Sequence, residues 1–330
     1  MKLEEIGEFG LIDLLRRRHL SGGTGVRLGA GDDVALLREE GGGLLAFTAD
    51  MLVEGIHFDL SFTDTFSLGY KSLAVNLSDL AAVGGGGPCW AVVSLGLPPG
   101  FEVEAVEGLY RGMAEIGGEH DCAVVGGDTV RSPRGLLVNV ALLGRVREED
   151  LLPRGGATAG EILMVTGALG ASALGLAALL RGRGGEPEFS HLVDIHLRPR
   201  PRLDISSTLR SRGATAAIDL SDGLLRDLGH ICEESGLGAV VEYHRIPLPA
   251  EAENAAAALQ ADLPSLVLGG GEDYELLLAV RPERAGELEG SGTAKAIGRL
   301  VEGSGVTVLG PDGRGMDTAS PGWDHFRGKP

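Results

Sequence analysis

Leu44-Leu-Ala-Phe-Thr-Ala-Asp50 is an apolar run that stops at a carboxylate, and the chain uses the same device elsewhere. Cys122–Gly127 leads into Asp128, Thr215–Ile218 into Asp219, and Leu266–Gly271 into Glu272. Short apolar runs bounded by Gly, Ser or an acid read as buried strands that deliver an acidic group to a sheet edge. Two more acidic clusters, Gly29-Ala-Gly-Asp-Asp33 and Asn76-Leu-Ser-Asp79, fall between them. Carboxylates collected at strand ends suit hard cations, and hard cations held by protein commonly hold phosphates.

The bulk numbers narrow the class. A chain of 330 residues exceeds one ordinary core, so two domains are expected. Lys+Arg 29 against Asp+Glu 47 gives −18, which argues against a nucleic-acid partner. A polyanionic small substrate remains compatible if metal ions offset the repulsion. Cys89, Cys122 and Cys232 are odd in number, widely spaced and without a CxxC, so a reduced, cytoplasmic setting is expected rather than disulfides or structural zinc. Glu4, Glu5 and Glu8 mark an N-terminus without a signal-peptide core. Residues Ile162–Leu180 are uncharged, but three glycines with Thr166 and Ser172 break them into a strand, a turn and a helix. No membrane span is expected.

Periodicity places helices near Glu4–Leu20, Ser67–Val83, Val103–Gly117, Ser172–Leu180, Leu203–Ser211 and Gly223–Ser235. Strands are expected near Val34–Leu37, Leu44–Ala49, Cys89–Leu97, Ala123–Val125 and Leu136–Val146. In the second half they are expected near Ile162–Val165, Thr215–Ile218, Ala239–Tyr243, Tyr274–Val280 and Ala294–Leu300. On the Ser67–Val83 helix, Ser72, Asn76 and Asp79 share a flank away from the apolar stripe of Tyr70, Leu73, Leu77 and Leu80. Arg145–Gly160, charged and then rich in Pro and Gly, is the expected boundary, giving domains 1–148 and 149–330. Each half is of mixed α/β or α+β class, and the acids come from both halves, so the site is expected between them.

Familiar nucleotide signals are missing. No lysine stands in a GxxxxGK(S/T) frame, and no GxGxxG follows a strand and opens a helix. Gly167-Ala-Leu-Gly170 is a weak relative of that pattern and reads as a plain strand–helix turn. Taken singly, each acid is a turn residue or a helix cap; in Asp219-Leu-Ser-Asp-Gly223, Ser221 or Asp222 can cap the following helix. Taken together, Asp32, Asp33, Asp50, Asp79, Asp128, Asp219 and Asp222 would repel one another unless cations neutralise them, which predicts bound Mg2+. His57 reads as a partly buried histidine, Trp323 as core or ligand stacking, Arg198-Pro-Arg-Pro-Arg202 as a solvated helix start, and Gly84–Gly87 as a loop.

In order, these motifs resemble the thiamine-monophosphate kinase family, part of the larger group related to aminoimidazole ribonucleotide synthetase. The anchors run from Gly7-Glu-Phe-Gly-Leu-Ile12 through Gly29–Leu37, Asp50–Phe58, Tyr70–Ala82 and Gly126-Gly-Asp-Thr129. His196–Arg202, Ala217–Gly223, Gly270–Glu275 and Trp323-Asp-His-Phe326 complete the series. The resemblance implies a two-domain fold, an N-terminal domain with a mixed, barrel-forming sheet and flanking helices plus a C-terminal α/β domain. It implies ATP as co-substrate, several Mg2+ ions, thiamine monophosphate as acceptor and a homodimer paired through N-terminal domains. By resemblance, Asp33, Thr48, Ala49, Asp50, Asp79, Asp128, Asp219 and Asp222 are metal positions, with Asp50, Asp128 and Asp222 central to catalysis. Gly127, Asp128, Arg154 and Ser221 correspond to ATP contacts, and His57, Glu272 and Trp323 to contacts with thiamine phosphate. Ala49 stands where the family has Thr, so only its backbone carbonyl can serve a metal. Two rival readings are another ATP-dependent synthetase of the same superfamily and a non-catalytic nucleotide-binding module.

Overall fold

A computed structural model of the chain describes residues 2–20, 22–317, 322–323 and 325–326. The first half runs α1 (Leu3–Arg18), β1 (Val26–Leu28), β2 (Ala35–Arg38), β3 (Leu44–Val53), α2 (Thr65–Ala82), β4 (Cys89–Leu97), α3 (Val103–Glu119), β5 (Cys122–Arg131) and β6 (Leu137–Val146). Its strands form one sheet in the order β1-β2-β3-β6-β4-β5. Pairing is antiparallel except for β4 with β5, and α3 is the crossover that a parallel pair requires. In the single chain this sheet is open, with β1 and β5 at its edges.

The second half continues with β7 (Ile162–Val165), α4 (Ala171–Leu180), α5 (Ser190–Leu197), α6 (Leu203–Leu209), β8 (Ala214–Asp219), α7 (Leu224–Ser235), β9 (Gly238–Glu242) and α8 (Ala252–Leu259). It ends with α9 (Leu263–Gly269), β10 (Leu276–Val280), α10 (Pro282–Gly290), β11 (Lys295–Val301) and β12 (Gly305–Leu309). The sheet order is β12-β9-β11-β7-β10-β8, with β12–β9 the parallel pair. The uncharged stretch Ile162–Leu180 divides into β7, a turn and α4. No helix among the described residues is long and apolar enough to cross a membrane.

Helix α2 joins the two halves. Asp64 caps it, accepting from the Ser67 amide at 2.9 Å. From Ser67 to Ala82 nearly every residue is buried, as an element covered on all sides must be. Gly69 and Gly112 allow α2 and α3 to touch, since a Cβ on either would lie 1.9 Å from a facing backbone oxygen. On the other flank, Ser72 donates to Leu68 O at 2.7 Å and Asn76 to Ser72 O at 3.1 Å. That flank does not face water: Ser72 and Asn76 are buried, and their donors are satisfied by the helix's own carbonyls. The C-terminal residues Ala81 and Ala82 pack with Met164, Ala217, Leu276 and Leu278 of the second sheet.

The structure departs from the sequence expectations at several places. Leu266–Gly271 is not a strand, because Pro264 opens helix α9 over it and the strand starts only at Leu276. Strands β3 and β5 run past Asp50 and Asp128, so those acids sit inside ladders rather than at strand ends. Arg202 is no solvated helix start; it pairs with Glu275 at 2.9 Å and donates to Thr166 O at 3.1 Å. Strands β1 and β12 and helices α5, α8 and α10 carried no clear periodic signal in the sequence.

Candidate active site

Four of the expected acids meet where α2 crosses between the sheets. Carboxylate oxygens of Asp33, Asp79 and Asp219 lie within 4.8 Å of one another, with Asp33 before β2, Asp79 on α2 and Asp219 ending β8. Asp50 joins them from β3 through a hydrogen bond with Asp79. Thr48, two residues earlier on the same face of β3, donates to Asp79 Oδ2 at 2.5 Å, and Ser78 donates to Asp219 Oδ2 at 2.7 Å. Ala49 projects from the opposite face. Strand β2 pairs only with Leu44–Phe47, so that flank of β3 beside Thr48 and Ala49 is open.

Burial and the charges around them raise Asp50, Asp79 and Asp219. Burial, with Asp33 alongside, lifts Asp219 to about 8. Burial also lifts Asp50 to about 6 against the lowering bond with Asp79. Asp79 goes well above the usual carboxylate range through burial, then through Asp50, Asp219 and Asp33. Among the described residues, Arg154 brings a cation to the cluster: its guanidinium pairs with Asp33, and its amide donates to Asp32 Oδ2 at 3.1 Å. Even so, Asp33 Oδ2 and Asp50 Oδ2 are buried without a hydrogen-bond partner. Acids crowded this closely, with oxygens left over, are a donor set suited to a hard divalent cation.

Beside the cluster, the Leu220–Gly223 segment is clasped on both sides. Glu272 N donates to Ser221 O at 2.8 Å, Tyr274 N to Leu220 O at 2.9 Å, and Trp323 N to Asp222 O at 3.1 Å. Neither Ser221 nor Asp222 caps α7. Asp227, buried within α7, accepts from the amides of Asp222 and Gly223 at 3.2 and 3.1 Å. Asp222 is raised to about 6 by burial and then by Glu8 of the Gly7–Ile12 motif. His57 accepts from Val53 N at Nδ1, which leaves Nε2 to carry the proton. Its ring lies 5.0 Å from His325, and Trp323 meets His325 edge-on at 5.8 Å. Burial, then His325, keeps His57 below its ordinary value, so it is neutral near pH 7. Asp324 of the C-terminal motif lies outside the described residues.

Glu272 holds an unusual position. It and Tyr274 adopt φ of +64° and +50°, a left-handed conformation rare for residues with a Cβ. Between them Asp273 accepts from Gly170 N at 2.8 Å and Ser172 N at 3.3 Å. Amides at the start of α4 are thus taken by a protein carboxyl. Glu272 itself pairs with Lys71 at 2.9 Å and approaches His196 Nδ1 at 3.4 Å. The sequence assigns no site role to Lys71, His196 and Asp273, though each lies within a motif, nor to Asp227. Lys71 alone carried a signal, as a charge in the middle of an apolar helix.

Asp128 and Gly127 are not brought to the cluster in this chain. Asp50 aligns across the sheet with Val140, Val93 and Gly127, three strand spacings or roughly 14 Å. Asp128 pairs in register with Ser94 and lies exposed on the sheet's open face, its Oδ1 accepting from Thr129 N at 2.9 Å. Gly127 allows β5 to press onto β4, since a Cβ there would stand 1.8 Å from Val93 O.

Comparison with known proteins agrees with the two-domain fold. The profile of AIR synthase related proteins matches residues 31–146 with its N-terminal domain and residues 158–310 with its C-terminal domain. The thiamine-monophosphate kinase of Aquifex aeolicus is 36% identical over 327 residues, 99% of this chain and 100% of that protein. That of Salmonella typhimurium is 38% identical, covering 97% of this chain and 98% of its own. A solved structure of AaThiL complexed with AMPPCP and TMP covers 99% of both chains at 35% identity, with a TM-score of 0.87. By its two matched domains and its full-length relatives, the chain belongs to the thiamine-monophosphate kinase family of AIR synthase related proteins.

Proposed function

We propose that the protein transfers the γ-phosphoryl group of ATP to the phosphate of thiamine monophosphate, forming thiamine diphosphate and ADP. The observation that carries this reading is the convergence of Asp33, Asp50, Asp79 and Asp219, with Glu272 and Trp323 both bonded to the segment that follows Asp219. A phosphate monoester has its second pKa near ~6, so its attacking oxygen is already largely ionised at neutral pH and needs no general base. The neutral His57, tied through Nδ1 to the backbone, accordingly has a binding role rather than a proton-transfer role.

Asp33, Asp50, Asp79 and Asp219, with the Thr48–Ala49 backbone and Asp222, would hold Mg2+, and the unpartnered oxygens of Asp33 and Asp50 fit that role. The bound ions supply charge neutralisation to the phosphates and alignment of an in-line transfer. Arg154 would offer its guanidinium to ATP while Asp33 holds it in place, and Ser221 presents its hydroxyl beside Asp222. Trp323 and His57 offer aromatic surface to the cationic thiazolium ring. The working division of labour is residues 1–148 for nucleotide and metal, with 149–330 closing the acceptor side. Three unpaired, buried cysteines support a cytoplasmic setting.

We further propose a homodimer. Phe47, Met51, Val92, Val125 and Val130 are large apolar residues exposed on or beside the open face of the first sheet. Pairing two copies there would cover them and let Asp128 and Gly127 of one copy serve the acids of the other. The test of the reaction is ADP release with thiamine monophosphate against thiamine, with and without Mg2+. Release that requires both the monophosphate and Mg2+ supports it, and equal release with thiamine refutes it.

A further inference from the structure

Lys71 stands in the middle of α2 with a side chain only 2% exposed, and it pairs with Glu272 Oε1 at 2.9 Å. An ammonium buried this deeply is tolerated only with a close counter-charge. The two residues come from different halves of the molecule, α2 of the first and the loop between α9 and β10 of the second. The second oxygen of Glu272 faces His196 Nδ1 at 3.4 Å, and that nitrogen is also 2.9 Å from Ser172 Oγ. His196 is buried and held down to about 3 by burial and then by Lys71, so it stays neutral. Glu272 alone among the three is partly open, at 23%.

We infer that Lys71, with His196 behind it, is a positioning residue that fixes the direction of the Glu272 carboxylate toward the acceptor. The loop around Glu272 gives this a purpose. Two residues with positive φ hold the backbone in a conformation that relaxes unless it is pinned. Asp273 pins it at α4 and Glu275 at Arg202, but neither sets the torsions of the Glu272 side chain. Lys71 does so, occupying one oxygen and leaving lone pairs toward the cleft. Because the ammonium balances the carboxylate, the pair presents a hydrogen-bond acceptor more than a net negative charge. The matching group is an N–H donor, such as an exocyclic amine on the acceptor's ring.

This inference rests on the reading that Glu272 contacts thiamine monophosphate, and the experiment separates the two. Steady-state kinetics of the full chain are measured with thiamine monophosphate and ATP varied independently, for Lys71→Met, Lys71→Arg, Glu272→Gln and the Met/Gln double variant. Losing an ordered charged acceptor should raise KM for thiamine monophosphate about tenfold or more in Lys71→Met. KM for ATP should stay within about twofold, as expected when only acceptor binding is touched. Lys71→Arg restores the charge with a bulkier head and should fall between wild type and Met. The double variant should be no worse than Glu272→Gln, because the lysine acts through that carboxylate. It removes both buried charges together, so it also reports if Lys71→Met alone does not fold. An unchanged acceptor KM in Lys71→Met and Lys71→Arg, with a raised one in Glu272→Gln, overturns the inference and leaves the substrate reading standing. An unchanged KM in Glu272→Gln overturns the reading itself. Equal losses for both substrates, or additive effects in the double variant, would make Lys71 a tie between domains and overturn its positioning role.

Discussion

Replacing Asp219 by Asn should stabilise the metal-free protein while removing its response to Mg2+. Asp219 is 2% exposed, and burial together with Asp33 raises it from 3.8 to about 8. A rise of about four pH units, at about 1.4 kcal/mol for each, makes ionising this group cost the fold on the order of 5 kcal/mol. The sign follows from proton uptake. Between about pH 4 and pH 8 the folded state holds a proton that the unfolded chain has lost, so stability falls as pH rises through that window. Below it both states are protonated and the penalty is absent; above it the penalty is complete. Asn keeps the side chain's shape and can still accept from Ser78, now without the charge. Recovering about 2 kcal/mol of that cost should raise the thermal midpoint by roughly 5 °C at pH 8, and by much less near pH 4.5. Thermal melts of the metal-free protein across that range, with and without Mg2+, measure both effects. A variant melting below wild type at pH 8, or one still stabilised by Mg2+ as fully as wild type, would refute the reasoning.

Other outcomes follow from the same geometry. Asp50→Asn should lower turnover by about a hundredfold or more with the circular dichroism spectrum unchanged, as befits a group acting mainly in the transition state. If Asp128 serves the neighbouring copy, mixing and re-equilibrating Asp50→Asn and Asp128→Asn proteins should recover up to roughly a quarter of wild-type activity, one intact site in each mixed dimer. No recovery would place Asp128 within its own chain's site. Trp323→Ala should raise KM for thiamine monophosphate about fivefold or more through loss of a cation–π surface, leaving KM for ATP unaltered. A matching rise for ATP would move Trp323 out of the acceptor site.

Local pattern carried much of the architecture. A short apolar run stopped by glycine located β7, and periodicity 3.6 located α3 and α7, because one-sided burial on a helix leaves its mark residue by residue. The surplus of acids beside glycine was equally legible, and with it a site for cations and phosphates. What no local pattern could settle is which acids meet. Asp128 has the same setting in sequence as Asp219, an apolar run ending in Asp, yet one lies on an exposed edge strand and the other is buried against Asp33 and Asp79. The difference comes from strand order and from α2 crossing to the second sheet, both products of long-range pairing. Leu266–Gly271 misled for a related reason, since a short apolar run has no period long enough to separate strand from buried helix. Lys71 became meaningful only once the second half closed over α2, because an ammonium's partner is chosen by who else is buried beside it.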